Sequence, residues 1–135
     1  CMFKIKYCHK IFDDEIYRAG MYELLLEAAY QYEIPLGEMG FDDNHVHFLA
    51  DIGLRSRPEV AKLLRGYTAK KFFEYFPELK KPKWEGGLFW DSGLWNPAYY
   101  IANPKDLART IRYIRRQKYG QERVNEQKSL WDFAS

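Results

Sequence analysis

Three residues of this chain have the types and spacing to act on a phosphate. His45 and His47 stand two apart in His45-Val46-His47-Phe48-Leu49-Ala50-Asp51-Ile52. Val46, Phe48, Ala50 and Ile52 take one side of a period-two pattern there, and His45, His47, Leu49 and Asp51 the other. In an extended strand this spacing sends both imidazoles off one face with Cα atoms roughly 6–7 Å apart, within reach of a single cation. Two imidazoles are an incomplete ligand set, because a metal site asks for about three or more donors, and two surface or locally hydrogen-bonded histidines satisfy the same pattern. The third residue is Tyr113. Leu107, Ile111 and Ile114 form the apolar stripe of its helix, and at about 100° per residue Tyr113 falls roughly 120° from the stripe's middle, with Gln117 on its own face. Such a ring serves as a surface tyrosine, a contact between chains, or a nucleophile. A phenol of pKa about 10 attacks at neutral pH only where a metal or cations stabilise the developing charge. Arg109, Arg112, Arg115 and Arg116 surround it in sequence, and guanidinium groups suit a phosphate substrate.

The elements that must position these groups can be read along the chain. Phe3, Ile5 and Tyr7 alternate with Lys4, Lys6 and Cys8, which predicts a first strand over Phe3–Cys8. Asp13 or Asp14 can cap a helix whose apolar positions Ile16, Leu24, Leu25, Ala28, Ala29 and Tyr32 run until Ile34-Pro35 stops it. A weak strand over Leu36–Gly40 and the histidine strand follow. A second helix starts near Pro58, carries Val60, Leu63, Leu64, Tyr67, Phe72, Phe73 and Phe76, and ends at Pro77. Leu88-Phe89-Trp90 and Leu94-Trp95 suggest a hairpin or an interrupted strand, and Asn103-Pro104 reads as the cap of a third helix running to about Lys118. The order predicts a split β-α-β arrangement on an antiparallel sheet, an α+β fold. Residues 1–120 form one domain, and 121–135 a polar tail apart from Leu130, Trp131 and Phe133.

The composition of the 135 residues, with 47% hydrophobic, 18% aromatic and 30% charged, is that of a globular domain. No apolar run approaches the roughly 18 residues of a membrane span, and no secretory pattern opens the chain. These features predict a cytoplasmic protein with no membrane partner. Cys1 and Cys8 are too few for a disulfide framework or a four-ligand zinc site. The net charge of +2 says little about partners, but its distribution is uneven: Lys105 to Lys118 holds six basic residues and one acid. Lys62, Arg65, Lys70 and Lys71 on the second helix, Lys80, Lys81 and Lys83 in the following loop, and Arg112 and Arg116 beside Tyr113 are candidate phosphate contacts for a nucleic acid, each of which also suits a solvated surface. Trp84, Trp90 and Trp95 could stack unpaired bases or pack in a core.

Five blocks in order carry a family resemblance: Asn44-His45-Val46-His47-Phe48-Leu49, Leu64-Arg65-Gly66-Tyr67-Thr68-Ala69-Lys70, Phe76-Pro77-Glu78-Leu79, Trp84 through Gly93, and Tyr113-Ile114-Arg115-Arg116-Gln117. His45-Val46-His47 resembles the His-hydrophobic-His motif of the HUH nuclease superfamily. From about Phe3 to Gln117 the chain is similar to the single-tyrosine transposases of the insertion-sequence 200/605 family. The resemblance implies a ferredoxin-like fold and an enzyme that cleaves and rejoins single-stranded DNA at hairpin-bearing element ends. It implies Tyr113 as the nucleophile of a 5′-phosphotyrosine link, His45, His47 and Gln117 as metal ligands, and a homodimer whose active sites can be composite. Near the first strand, Tyr7-Cys8-His9-Lys10 departs from the family's tyrosine followed by arginines.

Imidazole softness favours Mn²⁺, whereas abundance and the phosphate oxygens of a complex favour Mg²⁺, so Mg²⁺ with Mn²⁺ as substitute is the expected cofactor. A domesticated single-strand endonuclease acting on genomic repeat hairpins shares the whole motif set. A non-catalytic single-strand nucleic-acid-binding module and a water-using phosphoesterase are readings of other classes, and neither needs Tyr113.

Overall fold

The computed structural model describes residues 1–120; the proposed tail over 121–135 lies outside them. Four strands and three α-helices are present: β1 (Met2–Ile5), α1 (Glu15–Tyr32), β2 (Leu36–Phe41), β3 (His45–Ala50), α2 (Arg57–Tyr75), β4 (Trp95–Tyr100) and α3 (Leu107–Arg115). The sheet order is β2-β3-β1-β4 with every pair antiparallel, which is the expected split β-α-β arrangement of an α+β fold. Among the described residues, no helix is long and apolar enough to cross a membrane.

The core fills one face of the sheet. Phe3 and Ile5 of β1, Met39 and Phe41 of β2, and Val46 and Phe48 of β3 are buried against Met21, Leu25 and Ala28 of α1 and Val60, Leu64 and Phe72 of α2. Alternation then forces the partners of these residues onto the other face. α1 starts where the Asp14 carboxylate accepts the Ile16 N–H, and it ends at Glu33 in the left-handed region. α2 starts where the Ser56 hydroxyl accepts the Glu59 N–H.

Three expected boundaries move. The first strand stops at Ile5 rather than Cys8, because Tyr7 and Cys8 both take positive φ, 60° and 57°, and turn the chain into a 3-10 turn over Lys6–Cys8. Two successive non-glycine residues in that region cost about 1–2 kcal/mol each. No strand forms over Leu88–Trp90. Phe89 is buried while Leu88 and Trp90 are exposed, an out-in-out pattern that a turn produces as readily as a strand. The paired strand begins at Trp95, itself a core residue. The third helix is capped by Asp106, which accepts the Arg109 N–H, so Asn103-Pro104 remain in the approach and the helix ends at Arg115. Its stripe is seated at one end only: Ile114 is buried, Leu107 is 55% exposed.

Candidate active site

β3 pairs with β2 and β1 so that Gly40 and Met2 flank His47, and Lys4 flanks His45. All of these lie on the sheet face that α1 and α2 leave uncovered. The two imidazole rings are 4.9 Å apart, centroid to centroid. Nδ1 of His45 is 2.8 Å from Oδ1 of Asn44. Since that oxygen only accepts, Nδ1 carries the proton and Nε2 keeps its lone pair for a cation. His47 is half-buried, and its pKa is lowered to about 4, chiefly by burial and then by the neighbouring His45 and the chain's N-terminal ammonium. It is therefore neutral near pH 7, the form that ligates.

α3 approaches this face at β2. The Tyr113 ring meets the His47 ring edge to face, 5.3 Å between centroids and 90° between planes, and the phenol remains 55% exposed, as a group that must meet a substrate requires. Gln117 lies one turn on, its Nε2 3.3 Å from the Tyr113 carbonyl oxygen. The structure thus brings His45, His47 and Tyr113 together, with Gln117 at the margin.

The seat of α3 explains how Tyr113 reaches His47. Ile114 packs on Gly40, where a Cβ would strike the Ile114 carbonyl. Arg115 donates to Glu38 with Nη2 3.0 Å from Oε1. Beyond the helix, Asp13 accepts from Lys118 Nζ at 2.8 Å and from the Tyr119 hydroxyl at 2.7 Å. The Arg18 guanidinium lies 3.7 Å from the Tyr119 ring centre, and the Tyr119 N–H donates to the Phe41 carbonyl at 2.9 Å. Lys118 and Tyr119 together hold the Asp13 carboxyl below its ordinary range. As supports of the site, Asn44, Glu38, Gly40 and Asp13 escape a reading of the sequence. Only Asn44, the last of the polar trio before His45, carries a local signal.

The two imidazoles and an amide oxygen at the margin fit a cation of modest affinity, with substrate oxygens completing the shell. Among the described residues no group of three or more His, Cys, Asp or Glu converges on one point, so a closed, protein-only cage is not built here.

The candidate phosphate contacts on the helices differ in placement. Arg112 and Arg116 are exposed on α3 beside Tyr113. Lys62 and Lys70 are exposed and Lys71 half-buried on α2, which covers the opposite face of the sheet, away from the histidines. Arg65 instead braces β4. Its Nη1 donates to the carbonyls of Asn96 at 2.9 Å and Pro97 at 3.1 Å, and the guanidinium lies over Tyr99 at 4.6 Å.

Comparison with known proteins places this geometry in context. Residues 1–117 match the family described as IS200-like transposases. The ISDra2 transposase TnpA of Deinococcus radiodurans is 29% identical over 106 residues, covering 78% of this chain and 71% of the relative. A solved structure described as a transposase of Deinococcus radiodurans R1 superposes with a TM-score of 0.65 at 30% identity, over 86% of each chain.

Proposed function

Because the chain belongs to the IS200-like transposase family, whose model spans residues 1–117 of it, we propose that it cleaves and rejoins single-stranded DNA at hairpin-bearing ends through a Tyr113 phosphotyrosine. The observation that carries the reading is the contact of the Tyr113 ring with His47, 5.3 Å between centroids, beside the second histidine of the pair.

In this reading Tyr113 Oη attacks the scissile phosphorus, the phenol proton leaves to solvent, and the P–O3′ bond breaks. The 3′ oxygen takes up a proton and departs as a free hydroxyl. The 5′ phosphate stays on Tyr113 as a phosphodiester, so a second 3′-hydroxyl can reverse the step without an external energy source. His45, His47 and Gln117 would hold Mg²⁺, or Mn²⁺ in its place, which supplies Lewis-acid polarisation of the phosphate and stabilises the leaving oxygen. His47, kept neutral by burial, offers a lone pair across the neutral pH range. Asn44 fixes the tautomer of His45 through the 2.8 Å contact. Arg112 and Arg116 flank the nucleophile and favour the anionic strand electrostatically. A homodimer is part of the proposal. Within one chain the phenol already lies against its own His47, so a composite site would require α3 to leave the seat formed by Gly40, Glu38 and Asp13.

The test is incubation with an end-labelled single-stranded hairpin and Mn²⁺ or Mg²⁺, followed by a denaturing gel. A metal-dependent protein–DNA adduct that is absent in Tyr113→Phe is the expected result. Cleavage persisting in Tyr113→Phe would identify water as the nucleophile, and binding without cleavage across a panel of ends would identify a non-catalytic module.

A further inference from the structure

The loop between α2 and β4 spends much of its backbone on rigidity. Gly86 takes φ 88°, and Gly87 crosses so close to the Lys81 backbone that a Cβ has no room. The Glu85 and Gly87 N–H groups both donate to the Pro82 carbonyl, at 2.8 and 3.3 Å, and the Phe89 N–H donates to Leu79 at 2.8 Å. Lys80 Nζ donates to the Ser92 carbonyl at 2.8 Å. Buried Phe89 anchors the loop between Phe73 and His9, 5.8 and 5.3 Å from their ring centres.

This ordered frame holds large apolar groups in water. Trp84 is 81% exposed, Trp90 47% and Leu88 43%. The two indoles are 6.1 Å apart at 56°, a wedge in which neither ring covers the other's face. Exposed aromatics held in place by a rigid loop mark a recognition surface.

The location narrows the partner. Phe89 touches His9, His9 touches Tyr7 at 5.9 Å, and that turn continues β1, whose Ile5 N–H donates to the Asn44 carbonyl at 2.8 Å. The wedge and the histidine pair therefore lie toward one end of the sheet, the wedge on the side of α2, whose Phe73 touches Phe89, and the pair on the opposite face, so that a strand reaching both passes around that end. Lys81 and Lys83 are exposed on the loop, against exposed Glu85 and Asp91, so the charge favours an anion only slightly and the aromatic faces dominate.

We infer that Trp84 and Trp90 form a stacking platform for an unpaired nucleobase of the DNA strand led to the histidine pair. The inference rests on the single-strand reading above. A base in a duplex has both faces occupied by its neighbours, whereas an unpaired base has a free π-face for an indole, with the strand's flanking phosphates near Lys81 and Lys83.

The test compares Trp84→Ala, Trp90→Ala and the double variant in metal-free buffer, by fluorescence anisotropy of two labelled probes. One is a hairpin with a single-stranded flank and the other a blunt hairpin without unpaired ends. Each substitution is expected to weaken binding of the flanked probe about tenfold and to leave the blunt probe unchanged. Trp84 is 81% exposed and Trp90 47%, so Trp84→Ala should keep the wild-type melting temperature while Trp90→Ala lowers it, and all variants are assayed well below their transitions. Unchanged affinity for the flanked probe, or equal loss on both probes, overturns the platform. Conversion of a dimer to a monomer in sedimentation, with DNA affinity intact, overturns it in favour of a contact between protein chains. The adduct assay with Tyr113→Phe is separate: selective loss on the flanked probe in a protein that forms no adduct would leave the platform standing and overturn the strand-transfer reading.

Discussion

The carbonyl of Ile114 fills the space that a Cβ would need on Gly40, and Gly40 is the ladder partner of His47. The helix that carries Tyr113 is thus gauged directly against the histidine strand, with Tyr113 one residue from the contact. Gly40→Ala should push α3 outward by a fraction of a turn and separate the phenol from His47. A displacement near 1 Å costs about 100-fold in rate. The expected outcome is that loss in adduct formation with DNA affinity held within about twofold, measured by gel kinetics and anisotropy on the same protein.

Asp13 holds the segment that follows the same helix, on the side of Ile114. Its carboxyl is kept below the ordinary range first by the Lys118 hydrogen bond and then by that of Tyr119, so the folded form binds its proton less readily than the unfolded chain. The latch therefore contributes fully above the unfolded pKa, about 4, and its contribution is lost as pH falls from there through the lower folded value. Asp13→Asn should remove that acid dependence. Faster amide exchange at Tyr119, whose N–H donates to Phe41, is the measurement.

His47 titrates in another window. Its folded pKa is about 4 against about 6.5 unfolded, so between these values the unfolded chain binds the extra proton. Stability should fall as pH drops from about 6.5 toward 4. Urea midpoints at pH 7 and pH 5, taken without metal, should differ less in His47→Asn than in the wild type; an unchanged difference would assign the slope to other groups.

Arg65 binds two carbonyls of β4 and covers Tyr99. Arg65→Ala should cost about 1–2 kcal/mol of stability, and Arg65→Lys should recover only part of it, because an ammonium lacks the flat guanidinium that covers Tyr99. Denaturant midpoints check both. DNA affinity should change no more than in Lys62→Ala.

The histidine face was legible because period-two alternation in β3 is local: Val46 and Phe48 point to the core, so His45 and His47 must point away. Tyr113 was legible as an off-stripe residue for the same kind of reason. The seat of α3 was not, because Arg115–Glu38 and Lys118–Asp13 join residues 77 and 105 apart, and helical periodicity carries no information about such partners. The early end of β1 escaped for a related reason. Lys6 gives its N–H to Leu94 at 2.9 Å, a distant acceptor, while the alternation of side chains runs on unchanged through the turn at Tyr7 and Cys8.

Seating α3 at only one end makes it a lever with its fulcrum at Ile114. At about 1.5 Å per residue, Leu107 stands roughly 10 Å from that pivot and Tyr113 only one step from it. A tilt of the helix sweeps its exposed end about seven times as far as the Tyr113 Cα. The outer turns can thus be displaced while the Tyr113 backbone stays nearly where Gly40 sets it.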